Sequence, residues 1–413
     1  MTSDSRLSRR LGTGDAVVVG LGAMIGTGVF VVWQPAAAQA GRWLLVGLAL
    51  AAFVAFCNAT STAQLAAVHP RAGGAYHYGR ERLGSRWGAL AGYAFLIGKL
   101  ASSATAALAV GAYLWPEQQR LVAVGSVIAA LTINLAGVEK TARATRFLLA
   151  FVLIVLVTLV TVGITGTAAP ATRPDALDDV GAVGVLGSAA VLFYAFAGYA
   201  RITVLGEEVR DPRSIPRAVV IGLSIALVLY SAVGWVVLDA LGPDRTAASE
   251  QPLQAVARVV GADWLVPGVV AAAGVAAMGA LLSLMAGVSR TAFAMAAEGD
   301  LPARLSAVHP SRKVPYAAEI TAGAISCLFA LTGDLVGTLS VSAFTVLVYY
   351  SIANAAALRL QPEERRWPGW LAVTGLVAGA ALALSLPTSA IGIGAVTIVV
   401  AMLVRELVLR RGR

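Results

Sequence analysis

The chain has 413 residues, of which 58% are hydrophobic and only 13% charged. A soluble domain carries about 25% charged residues, so a water-soluble enzyme or binding module is excluded and the solvent for most of this chain is lipid. The formal net charge of +9 would suit nucleic acid, but the basic residues lie in loops between apolar runs, which makes them a signal for anionic lipid headgroups instead.

A spanning helix needs about 20 apolar residues, and twelve stretches come close to or exceed that length. The polar, basic segment 1–14 precedes them and reads as an uncleaved cytoplasmic tail, because the following run is too long for a signal-peptide core. The first stretch, 15–34, contains Gly20-Leu-Gly-Ala-Met-Ile-Gly-Thr-Gly-Val-Phe30, four glycines and a threonine without a charge. Stretches 43–66, 87–114, 121–138 and 146–168 follow, the third carrying Lys99 near its middle. The sixth, 183–206, contains Phe193-Tyr-Ala-Phe-Ala-Gly-Tyr-Ala-Arg201. Then come 216–241, 265–297 (with Ser283, Leu284, Ser289 and Arg290), 316–333, 336–358, 368–386 and 388–408. Runs this long and continuous are helices, not barrel strands.

With the N-terminus inside, only Arg42, Arg120, Arg173, Arg245 and Arg258 of the 31 Lys and Arg fall outside, and Lys99, Arg201 and Arg290 fall within spans. That asymmetry places both termini in the cytoplasm and the chain in the cytoplasmic membrane as a multi-pass protein. Cys57 and Cys327 lie in apolar runs without metal or disulfide spacing, and His69, His77 and His309 lie in loops. No metal, cofactor or catalytic constellation is therefore expected, and with no Gly-x4-Gly-Lys-Ser/Thr motif ATP is not the direct energy source.

Glycine within a lipid-exposed helix needs a reason. One is close helix packing through Gly22-x3-Gly26. The other is a break: interrupted helices free N–H groups that suit a carboxylate and C=O groups that suit an ammonium. The interrupted first and sixth stretches are five apart, which predicts two inverted five-helix repeats, 15–168 and 183–358, within a transport core at 15–360. The segment 361–413 then supplies two appended helices and a basic tail. Paired interrupted helices mark the central site of a transporter.

Four collinear stretches resemble the amino acid–polyamine–organocation transporters. They are Gly22-Ala-Met-Ile-Gly-Thr-Gly-Val-Phe30, His69-Pro-Arg-Ala-Gly-Gly-Ala-Tyr76, Phe196-Ala-Gly-Tyr199 followed by Gly206-Glu-Glu-Val-Arg-Asp-Pro212, and Ser289-Arg290 through Met295-Ala-Ala-Glu-Gly-Asp-Leu-Pro302. The resemblance implies an all-α fold of twelve transmembrane helices, whose five-plus-five inverted-repeat (LeuT-like) core has helices 1 and 6 broken. It also implies site residues. The Thr27 hydroxyl and Gly28 N–H would take the substrate carboxylate, the Met24 and Ala197 carbonyls the amine, and Tyr194 and Phe196 would cover the substrate. Ile25, Gly26, Gly198 and Leu284 would complete the lining. Ala200 stands where relatives that carry cations have an acidic residue, which argues against a cationic substrate.

A charge inside a span is a functional expectation by default. Lys99 is read as a proton-coupling group or as a binder of an anionic substrate group, a structural ion pair being the plain alternative. Arg201 is expected to pair near the helix-6 break, with a purely structural role as the alternative, Arg290 to snorkel or to hold the Glu298 and Asp300 loop, Asp15 to start helix 1, and Glu207 and Glu208 to form a solvated or gate-closing salt-bridge cluster with Arg210, Arg213 and Arg217. The expected function is secondary transport of an amino acid, neutral in the first instance with an acidic one left open, by alternating access. Two buried cations oppose a sodium site, so proton coupling or exchange is expected. A sensor without net transport is the competing class.

Overall fold

A computed structural model of the chain describes residues 12–69, 73–137, 142–166, 180–203, 214–312 and 314–411. Those residues are helical and contain no strand. The helices run α1 (Thr13–Met24), α2 (Gly28–Val31), α3 (Trp33–Ala40), α4 (Leu44–Val68), α5 (Ala75–Leu83), α6 (Ser85–Leu114), α7 (Gln119–Leu135), α8 (Ala142–Thr165), α9 (Ala182–Phe196), α10 (Ala200–Thr203), α11 (Ile215–Ala248), α12 (Pro252–Val259), α13 (Val266–Ala297), α14 (Tyr316–Thr332), α15 (Leu335–Ala357), α16 (Gly369–Leu384) and α17 (Thr388–Arg411).

Among the described residues each stretch predicted to span falls mainly on helix, and nine helical segments are long and apolar enough to cross a membrane. The helices α14 and α16 are shorter and apolar, and α7 has 17 residues. The chain is a multi-pass membrane protein. Predicted ends are close to observed ones where the chain carries a stop: the run 216–241 ends where α11 bends, at Gly242 followed by Pro243.

The helices are sorted by burial. In α6 89% of the central window is buried, and α6 packs along α13 and α15, whereas in α17 only 22% is buried. Outward-facing Phe147, Ile154, Leu384, Leu403 and Leu407 are exposed, an apolar perimeter that lipid covers and water would not. The interior is built of small residues, so backbones approach closely. Buried polar side chains there pair across helices: Asn354 Nδ2 donates to Asn58 Oδ1 at 2.6 Å, and the hydroxyls of Ser102 and Ser342 lie 2.6 Å apart.

The first apolar stretch is divided as expected. Helix α1 stops at Met24, Ile25 leaves the helical region (φ −82°, ψ 50°), and helix resumes at Gly28. Helix α2 then passes through an α-conformation Val32 into α3. The sixth stretch departs from expectation. It does not unwind: α9 tightens into a 3₁₀ turn at Ala197–Tyr199 and continues as α10. Gly198 is used there for contact between helices, since a Cβ on it would lie 2.5 Å from the Met24 nitrogen. A Cβ on Gly28 would likewise lie 2.7 Å from the Ala195 Cα. The glycines thus serve both readings, an open backbone in helix 1 and a backbone-to-backbone crossing against helix 6.

Candidate substrate site

The break in helix 1 leaves polar groups without helical partners. Ile25 N–H still donates to Leu21 O at 2.7 Å, and Phe30 N–H donates to Thr27 O at 3.1 Å, but the amides of Gly26 and Thr27 take no backbone acceptor. Thr27 is 3% exposed, and its Oγ1 has no hydrogen-bond partner among the described residues. A buried hydroxyl without a partner is a standing cost of roughly 1–3 kcal/mol, which a ligand with an acceptor would remove.

A cavity of about 360 Å³ opens at this break. Of the expected site residues, Met24, Ile25, Thr27, Gly28, Tyr194, Ala197, Gly198 and Leu284 line it, as do Lys99 and Arg201. Two do not. Phe196 is fully buried on the other side of α9, with its ring 5.1 Å from that of Tyr230, because a helical turn carries it to the opposite face from Tyr194. Gly26 is buried outside the lining and faces Ala280.

The carbonyls expected to take the amine already have donors. Tyr230 Oη donates to Met24 O at 2.7 Å and to Ala195 O at 3.2 Å, tying α11 to both interrupted helices. Tyr350 Oη donates to Ala197 O at 3.3 Å and its ring stacks on Tyr199 at 5.2 Å. Each carbonyl keeps one lone pair for a ligand. Neither tyrosine is legible in sequence as a site residue, since one Tyr in an apolar helix gives no direction; Tyr230 of α11 and Tyr350 of α15 needed the packing to be seen.

Lys99 projects from α6 into the cavity, half-buried, with Nζ 5.8 Å from the centre of the Phe95 ring. Among the described residues no carboxylate pairs with it, and no Asp or Glu lines the cavity. The hydroxyls of helix 8 are spent locally: Ser283 Oγ donates to Gly279 O at 3.0 Å and Ser289 Oγ to Ala286 O at 3.2 Å.

From the first stretch the cavity is lined by Val19, Gly22, Ala23 and Met24 ahead of the break and by Ile25, Thr27 and Gly28 at it. Beyond the break the path is filled by Phe30, Trp33 and Tyr113, each at most 4% exposed. Tyr113 Oη donates to Phe30 O at 3.0 Å and Trp33 Nε1 to Val29 O at 2.6 Å, which locks that plug.

Elsewhere, Asp15 accepts from the Gly12 N–H at 3.1 Å and pairs with Arg146, as a residue at a helix start should. Arg290 is exposed and does not hold the loop after α13. Asp300 in that loop is held by Arg80 and by Arg405 of α17, each at 2.6 Å, and by Tyr76 Oη at 2.8 Å. Glu298 pairs with Arg80. That the last helix reaches this loop is visible only in the packing. Cys57 and Cys327 are unpaired. Glu207, Glu208, Arg210 and Arg213 lie outside the described residues.

The description of the family whose model matches residues 11–405 is amino acid permease. The chain belongs to this family. It is thereby a transporter and not an enzyme, a member of the amino acid–polyamine–organocation superfamily. It is 49% identical to an uncharacterized transporter of Mycobacterium tuberculosis over 98% of this chain and 93% of that one. It is 25% identical to a branched-chain amino acid permease of Bacillus subtilis, over 91% of this chain and 87% of the relative. Human cationic amino acid transporter 4 is 28% identical over 88% of this chain and 62% of its own length.

Proposed function

We propose that this permease moves an amino acid without net positive charge across the cytoplasmic membrane by alternating access, through a twelve-helix, five-plus-five inverted-repeat core with both termini in the cytoplasm. The observation that carries the reading is the opened backbone at Ile25–Thr27, where the Thr27 amide and hydroxyl, without an acceptor among the described residues, border a cavity. These donors suit an α-carboxylate, and the remaining lone pairs of the Met24 and Ala197 carbonyls suit an α-ammonium.

Charge selects among amino acids. Lys99 and Arg201 line the cavity and no carboxylate among the described residues does, so a cationic side chain would meet like charge at low dielectric. In this the chain parts from its cationic transporter relatives. The same two cations, with helix-8 hydroxyls bonded to their own helix, favour proton coupling or exchange over sodium. With the N-terminus inside, a cavity that runs along the first stretch from Val19 to the break and is followed by the buried Phe30, Trp33 and Tyr113 fits the inward-open end of the cycle.

Counterflow in proteoliposomes tests this. Vesicles preloaded with an unlabelled amino acid should accumulate the labelled one, and Lys and Arg should be excluded. Binding without flux would make the protein a sensor.

A further inference from the structure

The helix-1 break already offers donors enough for one carboxylate, yet the cavity contains a further cation with no carboxylate beside it among the described residues. Lys99 has no ion pair among the described residues, and an aromatic ring 5.8 Å from its Nζ is its recorded neighbour. One helical turn along α6, Ser102 also lines the cavity and shares a 2.6 Å hydrogen bond with Ser342 of α15, which lines it too. Residues three apart on a helix share a face, so Lys99 and Ser102 look into the cavity from one side of α6, and Ser342 of α15 lines the same cavity. Either hydroxyl can turn its proton outward once the other accepts.

Resting on the amino acid transport reading above, we propose that this trio is the side-chain subsite and that it takes a carboxylate, so the transported amino acid is acidic. An acidic amino acid brings two anionic groups and one cationic group. The α-carboxylate goes to the Thr27 break, the α-ammonium to the backbone carbonyls, and the second carboxylate to Lys99. A neutral substrate would fill the break equally well but leave the Lys99 ammonium unpaired when the site closes around it during the cycle, where an isolated charge is costly. The amide isosteres present an N–H₂ group or a weaker acceptor to a cation, and a site built for a charge rejects them.

The test is labelled counterflow in proteoliposomes with L-glutamate and L-aspartate against L-glutamine, L-asparagine and L-leucine. Wild-type protein should show KM values for one or both acids at least tenfold below those for the amides and leucine. Lys99→Gln should raise the acid KM at least tenfold while the amide KM changes little, and Lys99→Arg should retain the acid preference. If wild-type protein moves leucine or the amides as well as the acids, the subsite assignment is overturned while the transport reading stands. If it moves no amino acid, the transport reading itself fails. The wild-type panel decides the matter even where a Lys99 variant does not fold.

Discussion

At the scale of single residues, Thr27 and Tyr230 have opposite signatures. Thr27 Oγ1 makes no bond within the described protein, so Thr27→Val removes nothing the fold uses. Its thermal stability in detergent should equal or exceed that of the parent, while KM rises by about ten- to a hundredfold, the loss of one charge-assisted hydrogen bond of about 1.5–3 kcal/mol. Tyr230 Oη serves two backbone carbonyls. Tyr230→Phe leaves both without that donor and should lower stability by about 1–3 kcal/mol, with flux falling in parallel. Thr27 could be read from sequence because a polar residue between glycines in a span has few other uses. Tyr230 could not, because its importance comes from where α11 crosses α1 and α9. Phe196 shows the same limit: neighbouring aromatics at 194 and 196 look equivalent in sequence, and a helical turn sends only Tyr194 to the cavity.

At the scale of elements, the two interrupted helices differ in kind. Helix 1 opens, while helix 6 only tightens to a 3₁₀ turn. Small residues mark both places in the sequence, but glycine permits unwinding and close approach equally, and only the packing tells them apart. Gly198→Ala would bring a Cβ within 2.5 Å of the Met24 nitrogen. It should cost about 1–3 kcal/mol through overpacking, read as a lower melting temperature, and it should slow transport by displacing the break it touches. A similar change at Gly287, where a Cβ meets nothing within 4 Å, should leave stability unchanged.

At the scale of the whole molecule, the hydropathy pattern reports span positions well because lipid allows few alternatives to helix. It reports nothing of which spans meet, so the ion pairs that close the loops were hidden. Asp300 joins α5, the loop after α13, and α17 through Arg80 and Arg405. Asp300→Ala would leave Arg405, 5% exposed at its side chain, without this partner and should destabilise by about 3–5 kcal/mol. A second node carries pH dependence. Arg82 donates to His69 Nε2 at 2.9 Å and pairs with Glu364 at 2.7 Å. Burial, then the charges of Arg82 and His77, hold the His69 imidazolium form below its usual range against the opposing pull of Glu81 and Glu364. The Arg82 hydrogen bond, with a backbone N–H from Gln361, holds Glu364 below the ordinary carboxylate value. For both groups the unfolded chain binds protons more readily, so stability present at neutral pH is lost on acidification. The loss begins below about pH 6.5 for the histidine and continues through the carboxylate range. Melting temperature should fall across that window, less steeply in His69→Gln.

The central claim is that substrate occupies the cavity at the helix-1 break, and substrate protection tests it most directly. Ser283 lines the cavity and is exposed within it, so Ser283→Cys, in a background with Cys57 and Cys327 replaced by Ser, should react with a small maleimide. A transported amino acid, at saturating concentration set by counterflow, should slow that reaction at least fivefold and leave a control Ser311→Cys unaffected. Unchanged labelling of Ser283→Cys under saturating transported substrate would contradict the account.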